Sequence, residues 1–229
     1  MEPLLARLES HDYDMLMANA KKIHVPAGNY VFVEGGQAKR IFFISRGTVR
    51  VFKEMLPDKE ITVFVRGMMD CIGEIGIFSG ATYSNSAQAM EDTDLYYIEK
   101  ADMEVLMEQN GRLGLQFTKW VSEALEASKA KLRDYLVFGS EGAVASFFIR
   151  AKNMYGKQMP DGVLIKEQFA VQDISKHLGI SRETVSRILS KWRDKGVVEK
   201  RNRYYFIKDI DFFRDLLVCE TCGVQNCII

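Results

Sequence analysis

The sequence predicts an α+β protein in which a β-rich first half and a helical second half are joined by one long helix. Three observations support this fold class: short β-rich runs over residues 21–99, a helix-forming stretch over residues 111–139, and two amphipathic helices on either side of Gly179. A chain of 229 residues that is 47% hydrophobic can bury two separate cores.

The first half has the pattern of an antiparallel sandwich or barrel. Its runs are short, rich in β-branched and aromatic residues, and separated by glycines, which is typical of closely spaced antiparallel strands. The runs cover residues 22–25, 30–34, 41–45, 48–53, 61–66 and 95–99. The apolar residues expected in the core are Phe42, Phe43, Val49, Val51, Val63, Val65 and Tyr97.

The long helix is expected to form a dimer seam. Val121, Leu125 and Leu132 follow a heptad-like spacing, which places them on one narrow apolar stripe. The alternative is a helix that packs only on its own barrel. A homodimer would place two copies of the C-terminal region side by side.

The second half contains a helix-turn-helix. Residues 171–178 form a short amphipathic helix, Gly179 supplies the break, and Ser181 is a natural N-cap for the next helix. The second helix buries an apolar stripe and leaves a polar, charged face of the kind that enters the major groove. The stripe consists of Val185, Ile188, Leu189 and Trp192. A surface helix that merely carries charge is the alternative interpretation.

Positive charge is concentrated at this end of the chain. Residues 171–203 hold nine Lys and Arg against four Asp and Glu, whereas the whole chain is balanced at 31 against 31. A predicted β-hairpin follows the second helix, and its turn at residues 200–203 is basic and suited to phosphates. Double-stranded DNA is therefore the expected partner.

Membrane proteins and enzymes are disfavoured by the same sequence. No apolar stretch approaches the roughly 18 residues of a membrane span, and the N-terminus has no signal-peptide pattern, so a cytoplasmic location is expected. No nucleophile–base set, phosphate-binding loop or histidine-rich metal site is evident, so no catalytic activity is expected.

Three of the four cysteines lie in the last eleven residues. Cys219, Cys222 and Cys227 form a Cys-x2-Cys-x4-Cys run, which is typical of a metal site because the first two thiolates can face one centre. Zinc and iron–sulfur clusters both accept such ligands. A disulfide with one free thiol is the remaining alternative. Cys71 stands alone and is expected to be a small buried hydrophobe.

The chain resembles the cyclic-AMP receptor protein/Fnr superfamily of transcription regulators. The resemblance rests on Ser-Arg-Glu-Thr-Val-x-Arg at 181–187 and on Gly-Glu-Ile-Gly-Ile-Phe at 73–78, which is similar to the phosphate-cassette helix of the family's sensor domain. It implies a β-roll over residues 1–110, a dimerisation helix over 111–139, a winged helix-turn-helix over 140–218 and a cysteine-rich tail over 219–229. It also implies RNA polymerase as a partner.

Cyclic-nucleotide binding is expected to be absent. Family members that bind cyclic AMP continue the cassette to Arg-Ser/Thr-Ala, and the arginine pairs with the cyclic phosphate. Here the triplet is Asn-Ser-Ala at 85–87, and no Lys or Arg lies between Gly67 and Lys100. The sequence therefore predicts that no cation is available for a phosphate at the cassette.

The tail resembles that of Bacillus-type Fnr proteins, in which three C-terminal cysteines and an aspartate hold a [4Fe–4S] cluster. The resemblance implies that Cys219, Cys222 and Cys227 are ligands and that Asp134 at the end of the dimer helix is the fourth; Cys71 is the rival fourth ligand. It implies an oxygen-responsive regulator of anaerobic metabolism. A zinc-stabilised regulator that answers a ligand in the barrel, and a thiol-redox switch without metal, remain alternatives.

The same resemblance assigns the DNA contacts. Glu183, Ser186 and Arg187 match the Fnr pattern, and Arg182 matches the extra arginine of cyclic-AMP receptors, so the expected half-site is close to TGTGA in an inverted repeat. Arginine can bridge guanine O6 and N7, and a carboxylate can accept from cytosine N4. The residues expected to contact the DNA backbone are Gln172, Ser181 and Thr184.

Overall fold

The computed structural model describes residues 2–56, 59–222 and 227. The chain divides into an N-terminal lobe, residues 2–122, and a C-terminal lobe, residues 123–229. The division falls inside the long helix, so each lobe contains part of that helix.

The N-terminal lobe is built from two antiparallel four-stranded sheets, which confirms the predicted β architecture. The sheet orders are β1-β8-β3-β6 and β2-β7-β4-β5. The strands are β1 Lys21–Val25, β2 Tyr30–Phe32, β3 Arg40–Arg46, β4 Val49–Leu56, β5 Lys59–Arg66, β6 Cys71–Ile72, β7 Ser86–Ala89 and β8 Thr93–Glu99. The short β6 and β7 were not predicted, because two to four residues are too few to show a period of two.

The two sheets share one core. Phe32 of β2 lies 5.9 Å, between ring centroids, from Phe42 of β3, which belongs to the other sheet. Four of the predicted core residues are buried: Phe42, Phe43, Val49 and Val51.

The core prediction was wrong for β5 and for Tyr97. Val63, Val65 and Tyr97 are only partly buried, whereas Thr62 and Arg66 of β5 are buried. The pairing of β4 with β5 shifts its register between Phe64 and Thr62, so the alternation of faces along β5 is broken at Val63. The strand thus buries a polar and a charged side chain where valines were expected.

Four helices complete this half of the chain. They are α1 Ser10–Ala18, α2 Glu74–Ser79, α3 Lys100–Gln109 and the long α4 Gly111–Tyr155, and a 3₁₀ turn at Leu5–Arg7 precedes them. Gly139 interrupts α4 with φ 60° and ψ −154°, a conformation that essentially only glycine adopts. The predicted helix end at residue 139 is thus a break, after which the helix resumes.

The C-terminal lobe is a winged helix-turn-helix, as predicted. Its elements after α4 are β9 Gly156–Met159, β10 Gly162–Ile165, α5 Val171–Leu178, α6 Arg182–Asp194, β11 Val198–Arg201, β12 Tyr204–Ile207, α7 Asp211–Leu216 and a 3₁₀ turn at Cys219–Thr221. The predicted wing hairpin is present as β11 and β12, and β10 and β9 extend it to a four-stranded antiparallel sheet, β11-β12-β10-β9.

An aromatic cluster fixes α6 within this lobe. The Trp192 ring lies 4.8 Å from that of Phe213 in α7, and Phe213 lies 5.7 Å from Phe148 in the resumed part of α4. The predicted apolar stripe of α6 is buried, including Val185. Burial of this stripe leaves the opposite face of the helix free. Within the described ranges, 2–56 and 59–222, no helix is long and apolar enough to cross a membrane.

Candidate DNA interface and cysteine site

The turn between α5 and α6 has the geometry that the sequence predicts. Gly179 adopts the left-handed conformation, φ 66°, at the C-terminus of α5. The Ser181 hydroxyl accepts a hydrogen bond from the Thr184 backbone N–H at 3.2 Å and donates one to the Thr184 hydroxyl at 3.0 Å. Because Ser181 caps α6 and the glycine lets the chain reverse, the second helix begins at a defined position.

The outer face of α6 presents the side chains expected to read bases. All four are exposed, namely Arg182, Glu183, Ser186 and Arg187, and Gln172 is exposed in the first turn of α5. Among the described residues, no hydrogen bond or ion pair engages the guanidinium of Arg182 or Arg187. Their donors are therefore available to a partner outside the chain.

Glu141 is a site residue that sequence reasoning missed. It lies in the first turn after the Gly139 break, and its carboxylate accepts hydrogen bonds from Lys191 Nζ at 2.8 Å and from Trp192 Nε1 at 2.9 Å. Burial opposes its ionisation, but these two donors hold the pKa of Glu141 below its ordinary value. The contact attaches the C-terminal part of α6, the recognition helix, to the hinge, which is the break at Gly139 between the two segments of α4.

The basic tip of the wing carries fewer free cations than its sequence suggests. Arg201 forms ion pairs with Asp161 at 2.6 Å and with Glu199 at 2.7 Å, which neutralise it. Lys200 and Arg203 remain exposed, and Asn202 between strands β11 and β12 has φ 59°. Lys200 and Arg203 are the wing side chains best placed to meet phosphates.

The cysteine tail lies beside the break in α4. Arg133 Nη2, before the break, donates to the Leu217 carbonyl at 3.3 Å. Asn153 Nδ2, after the break, donates to the Cys227 carbonyl at 2.6 Å. The tail is thus attached to both segments of the helix. Residues 223–226 and 228–229 lie outside the described residues.

Asp134 is buried at the same place and bridges the break. Its Oδ1 accepts from Arg133 Nε at 3.1 Å and Nη2 at 2.7 Å, and its Oδ2 accepts from the Ser146 hydroxyl at 2.6 Å. Arg150 Nη2 lies 3.7 Å from Oδ2. Only 3% of Asp134 is exposed, so these donors replace the water that an ionised carboxylate needs.

Two of the tail thiols, those of Cys219 and Cys227, lie within electrostatic reach of Asp134. Burial, followed by the influence of Cys227, Cys222 and Asp134, raises the pKa of the Cys219 thiol. The pKa of the Cys227 thiol is also raised, chiefly by burial. The nearby Arg150 offsets part of this rise, whereas Asp134 and Cys222 add to it. The structure therefore brings Cys219 and Cys227 into the neighbourhood of Asp134.

This donor set fits a soft metal centre or an iron–sulfur cluster. Thiolates are the preferred ligands of zinc and iron–sulfur centres, and a bound metal would offset the raised thiol pKa values by stabilising the anionic forms. In the present arrangement, no three His, Cys, Asp or Glu side chains within the described part of the chain are close enough to hold a metal ion. Both oxygens of Asp134 are occupied by donors from the protein itself.

A small cavity lies beside the cassette helix α2. Its volume is about 20 Å³, which is room for about one water molecule, and Glu74, Asn85 and Arg66 line it. The expectation that no cation lies near the cassette was wrong, because Arg66, which directly precedes the cation-free stretch after Gly67, lines the cavity. The Arg66 guanidinium pairs with Asp70 at 3.1 Å and lies 4.8 Å from the Trp120 ring centroid.

Two buried titratable groups line the same cavity. Burial raises the pKa of Glu74 to about 7, and the nearby Arg66 offsets only part of this effect. Cys71 is fully buried, as predicted, and burial raises the pKa of its thiol. This cassette therefore lies in a nearly filled pocket.

Comparison with known proteins agrees with this architecture. The profile of the cyclic nucleotide-binding domain matches residues 22–110, and that of the Crp-like helix-turn-helix domain matches residues 142–216. The anaerobic regulatory protein of Bacillus subtilis (strain 168) is 32% identical over 224 residues, which cover 97% of this chain and 94% of that protein. This chain belongs to the cyclic-AMP receptor protein/Fnr superfamily of transcription regulators.

Solved structures of lower sequence identity share the fold. A mutant of CooA from Carboxydothermus hydrogenoformans superposes with a TM-score of 0.78 at 22% identity, covering 94% of this chain and 95% of that one. The c-di-GMP responsive regulator CLP of Xanthomonas campestris gives 0.73 at 19% identity, covering 88% and 100%. The superfamily consists of DNA-binding regulators, and DNA binding through the helix-turn-helix is accordingly assigned to the C-terminal lobe.

Proposed function

We propose that this regulator responds to oxygen through a [4Fe–4S] cluster held by Cys219, Cys222, Cys227 and Asp134. The observation that carries the proposal is the meeting of the cysteine tail with Asp134 at the break in α4. The likeness to an anaerobic regulatory protein over almost the whole chain supports the same conclusion. Cys71 is the weaker candidate for fourth ligand because it is completely buried in strand β6.

The chain's own residues couple such a site to DNA binding. Asp134 lies before Gly139, whereas Ser146 and Asn153 lie after it, so a ligand set that includes Asp134 and the tail spans the hinge. Glu141 continues the connection from the hinge to α6. When bound, the cluster would supply a tether that oxygen destroys. The tether would favour the hinge conformation that holds the two recognition helices of the dimer at the spacing that the operator requires.

The proposed operator is an inverted repeat of a TGTGA-type half-site bound by a homodimer. The exposed Arg182, Glu183, Ser186 and Arg187 match the recognition-helix residues that read such a site in relatives. A two-fold dimer presents two such helices to half-sites about one helical turn apart. RNA polymerase is the proposed partner at the promoter. Cyclic nucleotide is not a proposed ligand, because Asn85 replaces the phosphate-binding arginine.

The proposal is tested by metal analysis of protein purified under strict anaerobiosis. About four iron and four sulfide per chain, as a full cubane requires, is the expected result. Exposure to air should release both and weaken binding to the inverted repeat. Stoichiometric zinc with little iron would contradict the proposal and favour the zinc-stabilised alternative. Metal-free protein whose DNA binding follows thiol oxidation would favour the thiol switch.

Substitution of the fourth ligand gives a sharper prediction. Asp134→Asn keeps the side-chain shape but is a poor iron ligand, and we expect the cluster to be lost in air about tenfold faster or more. The decay of the cluster's visible absorbance provides the measurement. Asp215→Asn, which changes an exposed carboxylate of α7, is the matched control and should behave like the wild type. Unchanged cluster content and unchanged oxygen sensitivity in Asp134→Asn would exclude Asp134 as a ligand.

A further inference from the structure

A groove separates the recognition helix α6 from the wing. Its volume is about 160 Å³, several times the room that one water molecule needs. Ser186, Ser190 and Arg193 line it from α6, and their spacing of four and three residues places them in one row along the helix. Lys200 of β11 and the Tyr205 ring of β12 line it from the wing. Helix and wing thus form the two sides of one groove within the C-terminal lobe.

Two cations of this groove keep their charge free. Among the residues that the structure describes, neither Arg193 nor Lys200 forms an ion pair, and both are exposed. Arg193 Nη2 donates a hydrogen bond to the Ser190 hydroxyl at 3.3 Å, and Lys200 Nζ lies 4.7 Å from the centroid of the Tyr205 ring. These contacts hold the two cations beside the groove without neutralising them.

A carboxylate that also lines the groove is balanced by other cations. Glu199 pairs with Lys208 at 2.5 Å and with Arg201 at 2.7 Å, and these two contacts lower the pKa of its carboxyl. Arg201 pairs in turn with Asp161 at 2.6 Å. Two carboxylates and two cations make this network neutral as a whole, so it does not cancel the positive charge of the groove.

The groove continues the face of α6 that is expected to read bases. Ser186 belongs to both, since it is exposed on that face and lines the groove. A helix with its side chains is about 10–12 Å wide and the major groove is about 12 Å wide, so the flank of a bound recognition helix meets a sugar–phosphate backbone. Base contacts come from the N-terminal residues of such a helix, which leaves Ser190 and Arg193, in its later turns, beside the backbone.

We propose that the groove between α6 and the wing holds one phosphate of the DNA backbone, with Arg193 on one side of it and Lys200 on the other. The Ser190 hydroxyl accepts from Arg193 and so keeps its own proton to donate to a phosphate oxygen. Contacts from helix and wing to the same phosphate would fix how α6 enters the major groove, without any preference for a base. The inference rests on DNA binding by this lobe and is independent of the proposed cluster and of the operator sequence.

The test replaces single phosphates of the inverted repeat, one in each half-site, by neutral methylphosphonates and measures the affinity of the full-length protein purified under anaerobiosis. At one backbone position the neutral linkage should weaken binding by the wild type about tenfold, as expected for the loss of a hydrogen bond to a charged group. At that same position Arg193→Gln and Lys200→Ala should each lose several-fold less, because part of the contact is already missing. Lys195→Gln is the matched control and should respond as the wild type does, since its ammonium lies 5.6 Å from the centroid of the Phe212 ring and does not line the groove.

Salt dependence gives a second measurement that needs no particular operator. On random-sequence duplex DNA, Arg193→Gln should reduce the slope of log K against log salt concentration by about one per subunit. A slope equal to that of the wild type would overturn the inference.

The outcomes separate the inference from DNA binding itself. A wild type that binds no DNA overturns the assignment of DNA binding to this lobe, and the inference with it. A wild type that binds DNA overturns the inference alone if no phosphate is coupled to Arg193 and Lys200. Coupling of these two residues to two different phosphates would also overturn it, because the groove would then not hold a single phosphate.

Discussion

At the scale of single residues, the cassette of the N-terminal lobe contains a buried glutamate whose pKa is raised. Glu74 lines a cavity with room for about one water molecule, and burial raises its pKa to about 7 from an ordinary value of 4.5. Gly73, with φ 89°, begins the helix that carries it. The glutamate therefore destabilises the fold when it is ionised, and nothing in the local sequence indicates this.

Glu74→Gln should make the protein more stable at alkaline pH. The pKa of Glu74 is about 7 in the folded protein, against an ordinary value of 4.5. The folded protein therefore has its full stability below about pH 4.5, where the carboxyl is protonated in both states, and loses stability as pH rises through 7. The loss amounts to about 3 kcal/mol at most. Glutamine avoids this loss because it does not ionise, so its advantage in urea unfolding should be largest at pH 8 and should shrink toward pH 5. Glu108→Gln, an exposed change in α3, provides the control. An identical pH dependence of the Glu74 variant and the wild type would contradict this account.

At the scale of elements, the recognition helix α6 is held from three sides and free on the fourth. Its N-terminus is capped by Ser181, its apolar stripe packs on Phe148 and Phe213, and Glu141 holds its C-terminal part. A rigid helix with an unpartnered polar face is suited to base recognition, because little conformational entropy is lost on binding.

Arg182→Ala should weaken binding to a TGTGA-type site by about 1–3 kcal/mol and relax the preference at one base pair. The measurement is binding to the inverted repeat and to variants with one base pair changed in each half-site. Lys200→Ala, at the exposed wing tip, gives the contrast. Lys200→Ala should weaken binding to all DNA sequences alike and make the binding constant less dependent on salt concentration. Equal loss on every sequence for Arg182→Ala would make Arg182 a phosphate contact.

At the scale of the whole molecule, α4 carries apolar residues on two faces. Leu113, Phe117 and Trp120 are buried, and Phe117 packs edge-on against Phe78 at 5.5 Å. A second, exposed face consists of Val121, Leu125, Leu132 and Leu136, which lie within about 60° of one another around the helix. Both interpretations of the helix thus have support, since one face packs on its own lobe and the other is available to a second copy.

Leu132→Lys should weaken the dimer, because it places a charge in the proposed seam, where Leu132 is 58% exposed in the single chain. Sedimentation velocity over a range of concentrations would show a larger monomer fraction than for the wild type. Glu126→Lys lies roughly 120° around the helix from Leu132 and should leave the association unchanged. If Leu132→Lys and the wild type dimerise equally, the seam lies elsewhere.

The sequence alone determined the elements whose signals are local. The cap at Ser181, the turn at Gly179 and the stripe of α6 all depend on residues within two helical turns of one another, so periodicity and turn chemistry are sufficient to predict them. The same holds for the strand-rich first half and for the spacing of Cys219, Cys222 and Cys227.

The tertiary structure alone decided which distant residues meet. Asp134 faces Ser146 because Gly139 redirects the helix between them, and Arg66 lines the cassette cavity because it pairs with the buried Val49 of β4 and shares its face of the sheet. Glu141 meets Trp192, which is 51 residues away in the chain, through the packing of two helices. These contacts depend on backbone direction and strand register, which are set by the packing of the whole lobe and leave no pattern in the neighbouring sequence.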